Sequence, residues 1–425
     1  MKAMNIGLVW LILLTSTATA QVAGPLTLDS CYKRALANHP LGRQSELFEE
    51  ASRIQESVLS TGYLPQVSIG GQVSWQSDVT ALPISIPNVS IPSLDKDSYK
   101  VNLDVNQLIW DGGLISRQKE LEKAGLLVNL QTVEIENYRL RETVNQVFFT
   151  ILIFQEREKL LRLSMSELQS KLRKIRSGVA NGIVLQSNAD VLDAEIIHIE
   201  QSLTELVHSK ASAIYKLGEL TGTSLSNNIE LEIPVTDSLP PMLTDIRPEY
   251  RLFELQQEKI GVQKSMTGIK MLPRIAAFGT VGYGKPGLNM LSNQFDGFAM
   301  VGARFSWTIW NWNQHRKESR IIAIQQDVIE TQKQNFEKNQ RILLNSLKQD
   351  ILKTETMIAA DFRIVSLRDA VEKSAAALLD QGLITSTEYL TEKNQQTQAK
   401  LNLQLHKVQL QMARINYITA SGMLK

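Results

Sequence analysis

The feature that most constrains the fold is an internal duplication of about 200 residues. A set of residues in the first half of the chain, including prolines, glycines and a tryptophan, recurs in the same order in the second half. The offset is 208 positions early in each half (248 against 40) and 200 later (382 against 182). The matched pairs are Pro40 and Pro248, Leu64-Pro65 and Leu272-Pro273, Trp110-Asp111 and Trp310-Asn311, Gly182 and Gly382, and Thr221-Gly222 and Ser421-Gly422. This period is far longer than that of solenoid repeats, so the pattern indicates a gene-scale duplication.

Each copy reads as a helix, a strand, a loop, a second strand, a very long helix, a turn and another long helix. The first repeat is predicted at residues 21–222, with helices at about 28–62, 114–178 and 186–220 and strands at about 66–76 and 98–110. The second is predicted at residues 247–425, with helices at about 248–271, 314–380 and 386–421 and strands at about 274–284 and 297–310. Residues 223–246 are predicted to be a linker or equatorial segment.

The first 20 residues have the pattern of a secretory signal peptide. Lys2 supplies the positive start, residues 6–14 are apolar, and Ala18-Thr19-Ala20 precedes Gln21 as a cleavage site. The apolar run is too short for a membrane anchor. We therefore expect the mature chain to leave the bacterial cytoplasm. Its single cysteine, Cys31, excludes an internal disulfide.

The predicted strands alternate between apolar and polar residues, which is the period of a strand with unlike environments on its two faces. Tyr99, Val101, Leu103 and Val105 alternate with Lys100, Asn102, Asp104 and Asn106. The other strands repeat the pattern, although Phe278 interrupts the polar side of one of them. A soluble β-sandwich would alternate equally cleanly, but this chain has only four strands in an otherwise helical sequence.

The strand length and the aromatic residues favour a membrane location. Each strand has roughly 9–13 residues, enough to cross a bilayer at a tilt. Aromatic residues cluster in or near the strand ends, as in the girdles of membrane barrels: Trp75, Tyr99, Trp110, Tyr283, Trp307 and Trp310. Four strands cannot close a barrel, which needs about eight, and an open edge in lipid leaves backbone groups unpaired. The sequence therefore predicts an oligomer.

The helices are too long for an ordinary globular domain. At 1.5 Å per residue, the helix from residue 114 to 177 would be on the order of 95 Å long. A 4/3 spacing of apolar residues, interrupted only by Asn137 and Glu158, predicts a coiled-coil seam. Its members are Leu126, Leu130, Val133, Leu140, Val144, Val147, Ile151, Phe154, Leu161, Met165, Leu168, Leu172, Ile175 and Val179.

These residues together resemble the TolC-type outer-membrane efflux protein family, over essentially the whole mature chain. The carriers of the resemblance are the duplicated Leu-Pro helix ends, the Trp110-Asp111-Gly112-Gly113 strand exit, the turns around Gly182 and Gly382, and the closing Thr-Gly and Ser-Gly pairs. The resemblance implies a homotrimer in the bacterial outer membrane. Its fold would be a 12-stranded β-barrel, four strands from each protomer, continuous with a long periplasmic α-helical coiled-coil barrel.

The function implied is the channel-tunnel of a tripartite efflux or type I secretion system. Substrate would pass through it passively from a periplasmic adaptor (membrane fusion) protein and an inner-membrane pump of the RND, ABC or MFS type. The resemblance assigns adaptor docking to the two turns, at Gly182, Ile183, Val184, Gly382, Leu383 and Ile384. It places an acidic constriction of the periplasmic end at Glu388. Thr391 stands where the family has a second acid, with Asp380 and Asp190 as alternative carriers of that charge.

Other functions find less support in the sequence. Gly279 to Pro286 approaches a phosphate-binding loop, but Pro286 replaces the Ser or Thr and no helix follows. The five histidines lack metal-ligand spacing, and Lys+Arg 45 against Asp+Glu 44 argues against nucleic-acid binding. We expect no enzymatic activity, cofactor or metal. The rival interpretation is a trimeric coiled-coil structural or surface protein, which would need no two strand pairs each returning to antiparallel helices.

Overall fold

The computed structural model describes residues 26–80, 95–236 and 247–423. The predicted signal peptide and residues 237–246 of the predicted linker lie outside these ranges. The first repeat contains helices α1 (Leu28–Asn38) and α2 (Gln44–Thr61), strands β1 (Gln66–Trp75) and β2 (Asp97–Trp110), and helices α3 (Leu114–Ala180) and α4 (Gln186–Thr221). The second repeat contains α5 (Pro248–Ile269), β3 (Arg274–Lys285), β4 (Asp296–Ser306), α6 (Gln314–Asp380) and α7 (Ser386–Ser421).

Two predicted elements are shorter in the structure. The helix expected at 28–62 is divided into α1 and α2 by a 3-10 turn at Pro40–Arg43. His39 has extended backbone (φ −71°, ψ 117°) because the following proline disfavours the helical conformation. Strand β4 ends at Ser306 rather than near residue 310. Its last partner is Arg274, and the preceding Pro273 has no backbone N–H to continue the ladder.

The described residues form two compact units, each built from both repeats. The strand unit comprises residues 43–136 and 247–339, and the helical unit comprises the remaining described residues. The compact units therefore do not coincide with the two sequence repeats. Among the described helices, none is both long and apolar enough to cross a membrane.

The strand unit contains a four-stranded antiparallel sheet in the order β1-β2-β3-β4. Val67 pairs with Val105, Val105 with Gly279, and Gly279 with Val301, so residues in register across all four strands share a face. Strands β1 and β4 are the two edges of the sheet. Four antiparallel strands in sequence order form an open sheet, whose outer strands carry unpaired backbone groups.

The connection from β2 to α3 is formed by Trp110-Asp111-Gly112-Gly113. Gly112 and Gly113 adopt left-handed backbone (φ 73° and 86°), which favours glycine. The Asp111 carboxylate accepts hydrogen bonds from the backbone N–H groups of Gly113 and Ile115, both at 2.8 Å. The aspartate thereby satisfies donors at the start of the helix that have no partner within it.

The helical unit is held by apolar seams between its helices. One core cluster joins α1, α3, α4 and α7 and includes the fully buried Phe148, Phe149 and Leu217. A second joins α3, α4, α6 and α7 near the turns. Seam residues predicted from the 4/3 spacing are buried in these clusters: Val144, Val147, Ile151, Leu168, Leu172 and Ile175.

A buried polar group crosses the first of these clusters. Asn145 of α3 accepts a hydrogen bond from the Tyr32 hydroxyl of α1 and donates to Thr419 Oγ1 of α7 at 3.0 Å. Because a buried amide is costly to leave unpaired, these contacts fix the register of three helices.

Candidate functional site

One face of the sheet is apolar and exposed. It carries valine, isoleucine, leucine, alanine, tyrosine, phenylalanine or tryptophan side chains at most positions, and Gly71, Gly279, Gly297 and Gln107 are among the exceptions. Ile69 is 78% exposed and Val301 is 88% exposed. The remaining large members are Val67, Val73, Tyr99, Val101, Leu103, Val105, Ile275, Val281, Tyr283 and Phe305. An apolar surface of this extent on one chain indicates a contact with lipid or with another protein.

The opposite face of the sheet is mainly polar. Thr280 donates a hydrogen bond to Asp104 Oδ1 at 2.6 Å, and Asn102 donates to Asp104 Oδ2. Two aromatic rings interrupt this face, each opposite a glycine in register. The Phe278 ring lies against Gly302, and the Phe298 ring lies against Gly282. The interruption of the polar face at Phe278 therefore has a local cause, since the ring covers a glycine of the neighbouring strand.

The predicted girdle residues separate into two rows at opposite ends of the sheet. Trp75, Tyr99 and Tyr283 lie at the end that carries the β1–β2 and β3–β4 connections. Phe295, which the sequence did not single out, packs between two of them, with ring centroids 6.1 Å from Tyr99 and 5.8 Å from Tyr283. Trp110, Trp307 and Trp310 lie at or beyond the other end.

A β-bulge places Trp110 on the apolar face. Simple alternation from Tyr99 would put Trp110 on the polar face. The register shifts between Leu108 and Trp110, so that Trp110 stands opposite Ile275, whose other partner is Phe305. Along β2, the eleven residue steps from Tyr99 to Trp110 span about 37 Å, or about 26–31 Å in height at the usual barrel tilt. This height matches the apolar band of a membrane barrel, about 25 Å.

The two predicted docking turns have the same backbone geometry. Gly182 and Gly382 adopt left-handed backbone (φ 71° and 72°). Ile183 N–H donates to the Gly178 carbonyl and Leu383 N–H to the Leu378 carbonyl, both at 2.9 Å. These contacts form the hydrogen-bonded ends of α3 and α6, where glycine is favoured for its backbone freedom.

Some aliphatic residues of the turns are exposed to solvent, and others pack against the helices. Ile183 is 79% exposed and Leu383 is 67% exposed. Val184 and Ile384 instead pack against the core cluster that joins the four helices. Leu185, which sequence reasoning missed, is 73% exposed beside Ile183. The exposed apolar surface of the turns is therefore formed by Ile183, Leu185 and Leu383.

The second turn is closed by a capping box that the first turn lacks. Thr385 Oγ1 accepts from the Glu388 N–H at 3.2 Å, and Glu388 Oε2 accepts from the Thr385 N–H at 2.8 Å. The backbone N–H of Thr385 lowers the pKa of the Glu388 carboxyl below its ordinary value. The motif Thr385-x-x-Glu388 was readable in the sequence as this cap. At the matching position of α4, Leu185 provides no side-chain cap.

The other predicted constriction residues also have partners within the chain. Asp380 of α6 forms an ion pair with Lys171 of α3 at 2.8 Å. Asp190 accepts a hydrogen bond from Gln186 at 2.7 Å. Thr391 donates to the Thr387 carbonyl at 3.0 Å.

Near the turns, one buried cation was not singled out by the sequence. Lys393 of α7 is almost fully buried and pairs with Glu167 of α3 and with Gln396 Oε1 at 2.9 Å. Burying a charge is tolerated only when it is paired, so Lys393 joins α7 to α3 at this end of the helical unit. No local sequence pattern distinguishes Lys393 from a solvated lysine. Among the described residues, no group of histidine, cysteine and carboxylate side chains is arranged to hold a metal ion.

These features define the architecture of the chain: an open antiparallel sheet with one apolar face, and a pair of very long helices in each repeat. No protein-family model and no curated protein sequence matches the chain. Solved structures do match it over 93% of its length, with 12–16% identity among the examples below.

Three solved structures illustrate the match. CusC, described in a study of transmembrane channel formation, has a TM-score of 0.71 at 16% identity over 92% of its chain. The outer membrane protein VceC from Vibrio cholerae has a TM-score of 0.68 at 12% identity over 96% of its chain. The open state of the Neisseria gonorrhoeae MtrE outer membrane channel has a TM-score of 0.65 at 15% identity over 89% of its chain. The resemblance inferred from the sequence is thus confirmed for the fold.

Proposed function

We propose that the chain is one protomer of a homotrimeric channel-tunnel in the bacterial outer membrane. It conducts substrate passively from the periplasm to the exterior as part of a tripartite efflux or type I secretion system. The observation that carries this proposal is the sheet, with one exposed apolar face bounded by two aromatic rows and one mainly polar face. Lipid is the partner that suits the first face, and a water-filled pore suits the second.

The open edges of the sheet support an oligomer. In lipid, the unpaired backbone groups of β1 and β4 would have no hydrogen-bonding partners. Pairing β4 of one copy with β1 of the next satisfies them, and three copies supply twelve strands. This number follows the family resemblance, and it exceeds the minimum of about eight for a closed barrel.

The helical unit supports self-association independently. On α6, apolar side chains at heptad spacing are exposed in the single chain: Met357, Ile364, Leu367, Val371 and Leu378. Leu367, Val371 and Leu378 lie on a different side of the helix from the buried Leu344 and Ile351. An exposed 3/4-spaced stripe beside a filled seam is typical of a helix that packs on a second copy.

We further propose that the turns dock a periplasmic adaptor protein, which connects the channel to an inner-membrane pump of the RND, ABC or MFS type. Ile183, Leu185 and Leu383 supply the exposed apolar contacts. Gly182 and Gly382 supply turns with open space around them, since in the described part of the chain no atom beyond the adjacent residues would lie within 4 Å of a Cβ at either position.

A narrow periplasmic end with an acidic lining is the last part of this proposal. Glu388 is exposed, and its capping contacts hold the carboxylate at a fixed place at the start of α7. Three copies of a fixed carboxylate around a narrow pore would attract cations. Asp380 is paired with Lys171, and Thr391 is uncharged, so Glu388 is the main candidate. Asp190 remains the secondary one.

Conductance of the purified protein tests the channel. The mature chain, extracted from outer membranes and reconstituted in planar bilayers, should give single-channel currents. Replacing Glu388 by glutamine should reduce the preference for cations, with Thr391→Val as the matched control on the same helix. A protein that stays water-soluble without detergent and gives no conductance would refute the proposal and favour a structural coiled-coil protein.

Export tests the docking turns. Gly382→Trp should abolish export while the trimer persists, because a bulky side chain then fills the open space at the turn. Gly382→Ala is the matched control, since it imposes nearly the same left-handed backbone cost with little added volume. Undiminished export by the tryptophan variant would remove the docking assignment.

A further inference from the structure

The turn between β4 and α6 holds two side-chain-bearing residues in left-handed backbone. Trp312 has φ 54° and Asn313 has φ 60°. In the first repeat the positions 200 residues earlier are Gly112 and Gly113, which adopt this conformation at little cost. For other residues the left-handed conformation shifts the local equilibrium unfavourably by about 5- to 30-fold. Asparagine tolerates it better than most residues, whereas a bulky tryptophan does not.

Packing against the residues that the structure describes does not offset this cost at Trp312. Its side chain is 78% exposed. Its ring approaches Trp310 edge-on, with centroids 5.8 Å apart and planes at 76°. Trp310 is itself largely exposed. A strained backbone that presents an exposed indole indicates a contact outside the chain.

The position of the turn identifies that contact. Phe305 lies on the apolar face of the sheet, and Trp307 and Ile309 continue its alternation beyond the end of β4. Trp307 Nε1 donates a hydrogen bond to the Met271 carbonyl at 3.0 Å, which fixes this indole beside the sheet end. The exposed rings of Trp310 and Trp312 follow within the next five residues. Together with Trp307 they extend the row of aromatics at the helix-bearing end of the sheet.

The indole ring of Trp312 is suited to one environment at this end of the sheet. Its ring is apolar and its N–H needs a hydrogen-bond partner, so tryptophan concentrates where hydrocarbon meets lipid headgroups. The row that Trp312 extends lies about 26–31 Å from the aromatic row at the other end, the thickness expected of a bilayer. A soluble protein partner would not require two rows at this separation.

We propose that the left-handed turn at Trp312 is a lipid anchor, which presents the indole to the headgroup layer of the leaflet nearer the helices. The inference rests on the proposed membrane location of the sheet. The first repeat has glycines at the matching positions and supplies no such anchor. Each protomer thus carries one tryptophan-bearing turn and one glycine turn at this level.

Depth-dependent fluorescence quenching tests this assignment. The protein is reconstituted in phosphatidylcholine vesicles whose acyl chains carry bromine either near the headgroup or near the bilayer centre. Six tryptophans occur in the sequence, and Trp10 lies in the predicted signal peptide, so five report on the mature chain. Trp312→Gly should remove about one fifth of the emission quenched by bromine near the headgroup, and much less of that quenched from the centre. The oligomer band on gels without heating verifies that each variant is folded.

Asn313→Gly is the matched control, because it relieves the same backbone conformation one residue away and keeps every indole. Its quenching should equal that of the wild type. If Trp312→Gly leaves the headgroup-quenched emission unchanged while the wild type is quenched, the anchor is refuted and the membrane location stands. If no bromolipid quenches the wild type, the membrane location itself is refuted. A loss of quenching in Asn313→Gly equal to that in Trp312→Gly would also refute an assignment to the indole.

Discussion

A charge placed on the apolar face of β2 should destabilise the protein strongly, and the same charge on the polar face should not. Val105 is the residue to change, because it lies six positions from Tyr99 and five from Trp110 on the same strand. At 3.4 Å per residue and a usual tilt, it lies about 15 Å from either aromatic row, which the proposed membrane location puts near the bilayer midplane. It pairs with Val67 on one side and Gly279 on the other.

The magnitude follows from the depth. Lysine on the lipid face of a barrel costs about 2–4 kcal/mol at the midplane. Val105→Lys should therefore shift the folding equilibrium by about 30- to 900-fold per chain. In a trimer with three such positions the costs combine to about 6–12 kcal/mol if they are additive.

Asn106→Lys is the matched control, because Asn106 adjoins Val105 on β2 and lies on the opposite face in register with Gln66 and Phe278. Urea unfolding in phospholipid vesicles, followed by the gel shift between folded and unfolded protein, measures both variants. Val105→Lys should unfold at much lower urea concentration, and Asn106→Lys close to the wild type. Equal stabilities would show that the two faces have the same environment and would refute the membrane assignment.

Three further predictions concern the helical unit. Asn145→Leu should cost about 1–3 kcal/mol, because the buried Tyr32 hydroxyl loses its acceptor; urea unfolding measures this, and a cost unchanged in a Tyr32→Phe background would contradict it. Leu185→Thr should stabilise the start of α4 by about 1 kcal/mol through a new cap and weaken cross-linking to the adaptor; stronger cross-linking would argue against the docking role of Leu185. Glu388 has a folded pKa below its ordinary value of 4.5, so its contribution to stability is complete above that pH and is lost as the pH falls through the lowered pKa. Hydrogen exchange in the second turn should therefore rise on acidification more in the wild type than in Glu388→Gln, and identical pH profiles would contradict the capping role.

Much of the fold could be predicted from the sequence, because its patterns are long and regular. The strands have unlike faces, so a period of two is preserved over residues such as Tyr99 to Val105. The helix seams repeat over many turns, so the buried Leu168 and Leu172 were identifiable without a structure. The duplication gave two sequence patterns for each type of element, since Gly182 and Gly382 mark equivalent turns.

The details of the candidate sites were less accessible, because they depend on single-residue geometry. The alternation of β2 ends at the adjacent polar residues Asn106 and Gln107, but the sequence alone does not show that a bulge then turns Trp110 to the apolar face. The division of the turn residues into the exposed Ile183 and the packed Val184 depends on how the chain leaves α3. The left-handed conformation of Trp312 could not be predicted, because tryptophan rarely adopts the backbone conformation that Gly112 has at the matching position. The capping role of Glu388, by contrast, was encoded locally by Thr385.

The central claim is that the sheet closes a membrane barrel only together with copies of itself. Native mass spectrometry of the mature protein, extracted from outer membranes in detergent, tests it most directly. The account predicts a complex of three chains that retains detergent or lipid until activated in the gas phase. A stable, compact single chain that remains in solution without detergent would contradict the account.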